Sequence, residues 1–259
     1  MKLSLALLFL AAAAAQTPDT FEVASIKPGD PLANGMSINY PPGGGIRMEN
    51  CTLRMMVGFA WGLRDFQLSG GTGWIESERF HVLAKGAPME GPADFRNMSD
   101  KQREAAAALI RARLRKLLQE RFHLEVHTET KEMPIYALVV AKGGSKMKSN
   151  TSPDGSPGGV MINGRRLEAT RLEMDRFAES LSGMMRRTVR NETGLAGFFD
   201  LKLEWTPDAA PGAPDKPAEA ATGPTLLTAL QEQLGLKLES KKGPVEILVI
   251  DRAERPTEN

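Results

Sequence analysis

The sequence lacks most of the groups by which enzymes and small stapled folds announce themselves. One cysteine, Cys51, excludes a disulfide within the chain and any CxxC-type zinc site. There is no GxSxG, HExxH, Walker A or GxGxxG sequence, so the usual hydrolase, metallopeptidase and nucleotide-binding signatures are missing. Charge of one sign is missing too: 33 Lys+Arg stand against 32 Asp+Glu, for a formal net charge of +1. That balance gives no general attraction to nucleic acid. Aromatics are only 6%, and after residue 15 no apolar run approaches the roughly 20 residues of a bilayer crossing. What is present is a globular composition over 259 residues, 41% apolar and 25% charged, enough for a core and too balanced for disorder.

Residues 1–15 read MKLSLALLFLAAAAA. Lys2 supplies a positive end, Leu3 to Leu10 an apolar stretch too short to span a bilayer, and Ala13 and Ala15 a small-x-small site. The pattern predicts an export signal cut before Gln16, hence a periplasmic or extracellular mature chain with no transmembrane segment. Cys51 then reads as a small buried hydrophobe without a partner.

Periodicity divides the rest. Phe21–Ile26 alternates as a strand, and Ser37–Tyr40 and Ile46–Met48 flank a Pro-Gly loop as a hairpin. Leu53, Met56, Val57 and Ala60 recur at helical spacing. Phe66–Leu68 and Arg79–Ala84 read as strands on either side of Gly70-Gly71-Thr72-Gly73. Ser99-Asp100-Lys101-Gln102 is a capping box for a helix to about Arg121, with Ala106, Ile110, Leu114, Leu117 and Leu118 as its buried stripe. Phe122 to His127 alternates, and Pro134 opens another strand that ends at Gly143-Gly144.

Residues 145–159 read as a linker. Asn163-Gly164 marks a tight hairpin, and Arg171–Met184 a helix. A strand passes through Phe199–Trp205. Pro207–Pro224 is a Pro/Ala-rich insertion, Thr225–Leu234 a helix, and Leu236–Leu238 and Val245–Asp251 are strands parted by Gly243-Pro244. Leu114–His127 (LRKLLQERFHLEVH) and Leu226–Glu239 (LLTALQEQLGLKLE) match in pattern, which suggests an internal duplication. The expected fold is α+β: two similar lobes, 16–144 and 160–259, each with two helices packed on a small mixed or antiparallel sheet.

Four phrases carry a resemblance: Phe21–Pro28 (FEVASIKP), Lys131–Gly144 (KEMPIYALVVAKGG), Thr193–Trp205 (TGLAGFFDLKLEW), and Ala229–Glu239 with Gly243–Asp251. Over nearly the whole mature chain these resemble a large secreted acidobacterial family of Solibacter type. The chain departs from that pattern at Phe198-Phe199, where a Lys-Tyr pair is common. The second half is similar, more weakly, to the short N-terminal modules of secretins and TonB-dependent receptors. Some members of the first family form the outer part of proteins with a membrane metallopeptidase of the antibiotic-sensor kind. The resemblance therefore implies envelope sensing or binding and carries no established activity.

Three histidines hold the main enzyme clue. His123, Glu125 and His127 would share one strand face, with neighbours two apart about 6.8 Å from each other. A zinc site would need one His, Glu125 and a third ligand such as His81; a solvated strand face explains the spacing without metal. Arg111, Arg113, Arg115, Lys116 and Arg121 make one helix basic, either as a solvated face or toward an anionic partner. Asp200 and Glu204, four apart, read as surface carboxylates. The binding candidates are Gly70, Gly71, Gly73 and Trp74, with Trp61 nearby. Glycines admit close backbone approach, and a Trp offers a flat anchor, unless it only closes the core. The sequence thus reads as an exported non-enzymatic binding module. It would need no cofactor, and its partner would be a protein, peptide or envelope component and not nucleic acid. An extracytoplasmic enzyme, with or without a metal, and a structural envelope protein are the rivals.

Overall fold

A computed structural model of the chain describes residues 19–257, apart from 34, 72, 90, 93, 95–96, 153–157 and 207–222. The expected export signal and most of the expected Pro-rich insertion lie outside the described residues.

Alternating residues build β1 (Phe21–Pro28), β2 (Ser37–Asn39) and β3 (Ile46–Thr52). The period changes at α1 (Leu53–Trp61), which buries Leu53, Met56, Val57 and Ala60. β4 (Leu68–Gly70), the four-residue α2 (Trp74–Ser77) and β5 (Arg79–Gly86) follow. α3 (Asp100–Phe122) opens at its capping box, where the Ser99 N–H donates to Gln102 Oε1 at 2.9 Å and the Gln102 N–H to Ser99 Oγ at 3.4 Å. Its stripe of Ala106, Ile110, Leu114, Leu117 and Leu118 is buried. Next come β6 (Glu125–Val140), β7 (Lys148–Asn150), β8 (Gly159–Asn163) and β9 (Arg166–Leu172). α4 (Met174–Met185), β10 (Val189–Asn191) and β11 (Phe198–Glu204) continue the chain. α5 (Leu226–Ala229) runs into a π turn over Leu230–Leu234, and β12 (Leu236–Arg252) is the last strand.

The expected α+β architecture of two lobes, each with two helices on a small sheet, is not what forms. Strand accounts for 41% and helix for 28% of the described residues. There are three four-stranded sheets, and α2 and α5 are single turns, so helices are not a main packing component of two lobes. The error has a physical source in Pro134 and Gly243-Pro244, which the pattern takes as breaks. Instead β6 and β12 run through them as one long antiparallel ribbon, in register from Leu236↔Val140 to Ile250↔Val126. β10 reaches β6 only at Tyr136–Leu138, and β4 reaches β12 only at Leu248–Ile250. At Pro134 and Pro244 the ribbon therefore has no outer strand to miss a donor. The expected linker at 145–159 likewise contains a strand, β7.

The chain forms two compact units. The first takes the chain through Trp61, Thr72–Leu124 and the segment from Ala253. It holds the antiparallel sheet β1-β5-β3-β2, with Ile46, Met48, Val82 and Ala84 buried beside the α1 and α3 stripes. The second takes Gly62–Gly71 and Glu125–Arg252. It holds the sheets β10-β6-β12-β4 and β7-β11-β9-β8. Its core joins Leu167, Leu201 and Leu203 of the latter sheet to Phe177 and Leu181 of α4, with Leu230 and Leu234 behind α5.

Read outward, β2-β3-β5-β1 and β8-β9-β11-β7 have the same connectivity. In each, a helix follows the second strand and a short strand precedes the third. Those short strands pair in parallel with β12 (Leu68↔Leu248) and β6 (Val189↔Tyr136). Tyr136 and Leu248 are as far apart in sequence as Leu114 and Leu226. So are Glu132 and Pro244, which face each other in the ribbon.

Candidate functional site

The edge of the second unit's β7-β11-β9-β8 sheet is where local structure leaves most undone. Asn163-Gly164 turns the chain tightly from β8 into β9, with Gly164 at φ 54°. The Trp205 N–H donates to the Arg165 carbonyl at 2.9 Å, which fixes the ladder. Odd-numbered residues of β9 face β11, and Arg166, Glu168 and Thr170 face β8. Their partners Asn163, Met161 and Gly159 are satisfied, whereas Val160 and Ile162 direct N–H and C=O away from the sheet. Among the described residues no strand lies beyond them.

The side chains are as unusual as the backbone. Every residue of β8 is exposed, with Val160 at 41%, Met161 at 69% and Ile162 at 49%. Val160 and Ile162 lie opposite Ala169 and Leu167, both buried, so they stand on the core side of the sheet. The core side is one strand wider than its cover. A groove of about 520 Å³ runs there, lined by Ile162, Met184, Met185, Trp205, Leu226 and Leu227 with three small residues. Methionine adapts to irregular partners, and Trp205 offers a large half-buried face. Other edges are guarded or short: β7 carries Lys148, β1 carries Glu22, Lys27 and Pro28, and β2, β4 and β10 are three residues long.

The residues singled out in the sequence fall elsewhere. Trp74, half-buried, stacks on Phe122 at 6.4 Å, meets Phe80 edge-on at 6.3 Å and lies 5.2 Å beneath the Arg255 guanidinium. Trp61 lies under Arg115 at 5.4 Å. Gly73 caps α2, while Gly70 and Gly71 belong to the other compact unit. Gly70 answers a packing need: a Cβ there would come within 2.5 Å of the Ile250 carbonyl across the parallel pair. His123 ends α3 in the left-handed region at φ 44° and is outside β6, so it does not share a strand face with Glu125 and His127. Glu125 lies 3.9 Å from Arg252. His127 Nδ1 lies 2.8 Å from Asp251 and Nε2 3.1 Å from Glu129, which hold its pKa above the ordinary value, Asp251 most strongly. His81 accepts from the Asn50 N–H at 3.3 Å. Among the described residues no three His, Cys, Asp or Glu are grouped to hold a metal. Cys51 is buried, which raises its thiol pKa.

The basic helix α3 turns inward. Arg113 is fully buried and donates to the carbonyls of Gly44 at 3.0 Å and Ala87 at 3.2 Å. Burial pulls its pKa down, against the pull of Glu22 and Asp19. Arg115 donates to the Ala60 carbonyl at 2.8 Å, Arg121 to Ala24 at 3.2 Å, and Lys116 pairs with Asp19 at 2.9 Å. A signal for Arg113 existed, since it sits three residues after Ile110 and four before Leu117, on the apolar stripe. A second cavity, of about 420 Å³, lies in the first unit beside Ile26, Pro28 and Phe80. Three of its charged groups are engaged: Arg255 grips Glu78 at 2.6 Å, and Arg79 donates to the Asn50 carbonyl at 2.9 Å.

The profile of a family described as a protein of unknown function (DUF3738) matches residues 54–253. The chain belongs to the DUF3738 family. The match runs from α1 to the end of the ribbon and includes β8 and every residue lining its groove. No curated protein and no solved structure matches the chain.

Proposed function

We propose that the chain is an exported, non-enzymatic binding module that takes an extended segment of a partner polypeptide as a further strand beside β8. The observation that carries this reading is an unguarded edge with its own apolar groove. Val160 and Ile162 present free N–H and C=O groups, and their side chains extend the core face beyond its cover. Main-chain pairing supplies affinity in such an addition, and alternate side chains supply selectivity. Residues 1–15 and the resemblance to a secreted family support export.

The Val160 N–H points outward, so a proline there removes a docking donor without breaking the β8–β9 ladder. The full chain should bind a synthetic peptide of alternating valine and threonine. Val160→Pro should melt at the same temperature and lose that binding. Equal binding by both proteins, or binding by neither, would overturn the reading.

The same proposal takes the chain as an internal duplication whose repeats exchange their short strands. Its support is the shared strand order and the common sequence spacing of the β4–β12 and β10–β6 pairs. The repeats interleave in the β10-β6-β12-β4 sheet and so are not separate lobes.

A further inference from the structure

We infer that the segment received beside β8 is apolar and acidic: a bulky apolar side chain enters the groove next to Ile162, and a carboxylate meets Arg165 or Arg186. This rests on the strand-addition reading above and adds the chemistry of the partner.

The sign of charge around the groove is one-sided. Among the described residues no carboxylate lines it. The carboxylates of the sheet, Glu168, Asp200 and Glu204, stand on the opposite face, where alternation puts them. They are also engaged there. Glu168 pairs with Arg166, Glu204 with Lys202 at 3.0 Å, and Asp200 accepts from Asn150 at 2.8 Å and from the Arg171 N–H at 3.0 Å. On the groove side, Gly164 and Met185 are lining residues, and each is followed by an exposed arginine. Arg165 follows Gly164 in the two-residue turn, and its carbonyl accepts from the N–H of the groove-lining Trp205 at 2.9 Å. Arg186 caps α4 in the left-handed region at φ 49°. Neither arginine makes an ion pair among the described residues, whereas Arg166, close by, pairs with Glu168 and with Glu204 at 3.6 Å. β8 itself carries no charge. A partner strand with an acidic flank therefore finds complementary charge, and a basic one meets uncompensated repulsion.

The test uses the full chain and three synthetic peptides. Each alternates valine and threonine around one leucine and is flanked by aspartates, asparagines or lysines. The aspartate peptide should bind about tenfold more tightly than the lysine peptide, and the gap should narrow with added salt. The double substitution Arg165→Gln, Arg186→Gln should abolish the gap and leave asparagine-peptide binding in place. If the three peptides bind alike, the acidic preference falls and strand addition stands. If none binds, strand addition itself falls. A concentration-dependent dimer removed by Val160→Pro would assign the edge to a second copy of the chain and overturn the inference.

Discussion

Arg113 and Gly86 form one device. The guanidinium satisfies two loop carbonyls from inside the first unit, where no water competes, and Gly86 leaves it room. A Cβ at position 86 would overlap Arg113 Nη1 and come within 2.6 Å of the Gly44 carbonyl. Gly86→Ala should therefore cost about 3 kcal/mol, the upper range for overpacking a filled site. Arg113→Ala should cost a similar amount, because it leaves the Gly44 and Ala87 carbonyls without their donor. The double variant should cost clearly less than the two added together, since the missing arginine vacates the space the new methyl needs. Urea unfolding of the four proteins checks this, and strict additivity would contradict it. The half-buried Trp74 acts on the same scale: its place between Phe122 and Arg255 makes it a packing residue of the first unit.

At the scale of elements, the β6–β12 ribbon carries much of the second unit, and a cross-strand cluster marks one end of it. His127 on β6 lies between Asp251 on β12 and Glu129, and Glu129 is also held by Lys131 at 2.7 Å. The charged imidazolium can donate from both nitrogens at once, and the neutral ring cannot. The folded pKa is raised, so the contribution is full below the unfolded value of about 6.5 and is lost as pH rises through the folded one. His127→Gln should thus lower the urea midpoint in mild acid and leave it unchanged in alkali. A deficit that stays constant with pH would contradict the cluster's role. The same ribbon explains where sequence reading stopped. Alternation on both sides of Pro134 and Pro244 was legible, but continuity through them was not. It depends on β10 and β4 ending short of the prolines, and that is a matter of tertiary pairing.

At the scale of the whole molecule, local signals translated well and placement did not. The capping box at Ser99, the α1 and α3 stripes and the Asn163-Gly164 hairpin all form as their chemistry requires. What no window of sequence discloses is which strands become edges. β8 reads like any apolar strand, and only its position beyond β9, past the cover of the core, leaves Val160 and Ile162 in water. The one hint is a five-residue edge strand without charge, since the other uncharged edges, β2 and β4, are only three residues long. The proposed edge therefore leaves no distinct mark in the sequence, whereas the Gly70–Trp74 segment does, and there Trp74 packs on Phe122 and Phe80.

Amide hydrogen exchange along β8 of the full chain, alone and with the aspartate-flanked peptide, tests the central claim most directly. In the free protein Val160 and Ile162 should exchange fast and Met161, bonded to β9, slowly; with the peptide bound, all three should be slow. Protection of Val160 and Ile162 in the free chain, or none gained on adding peptide, would contradict an open edge that receives a strand.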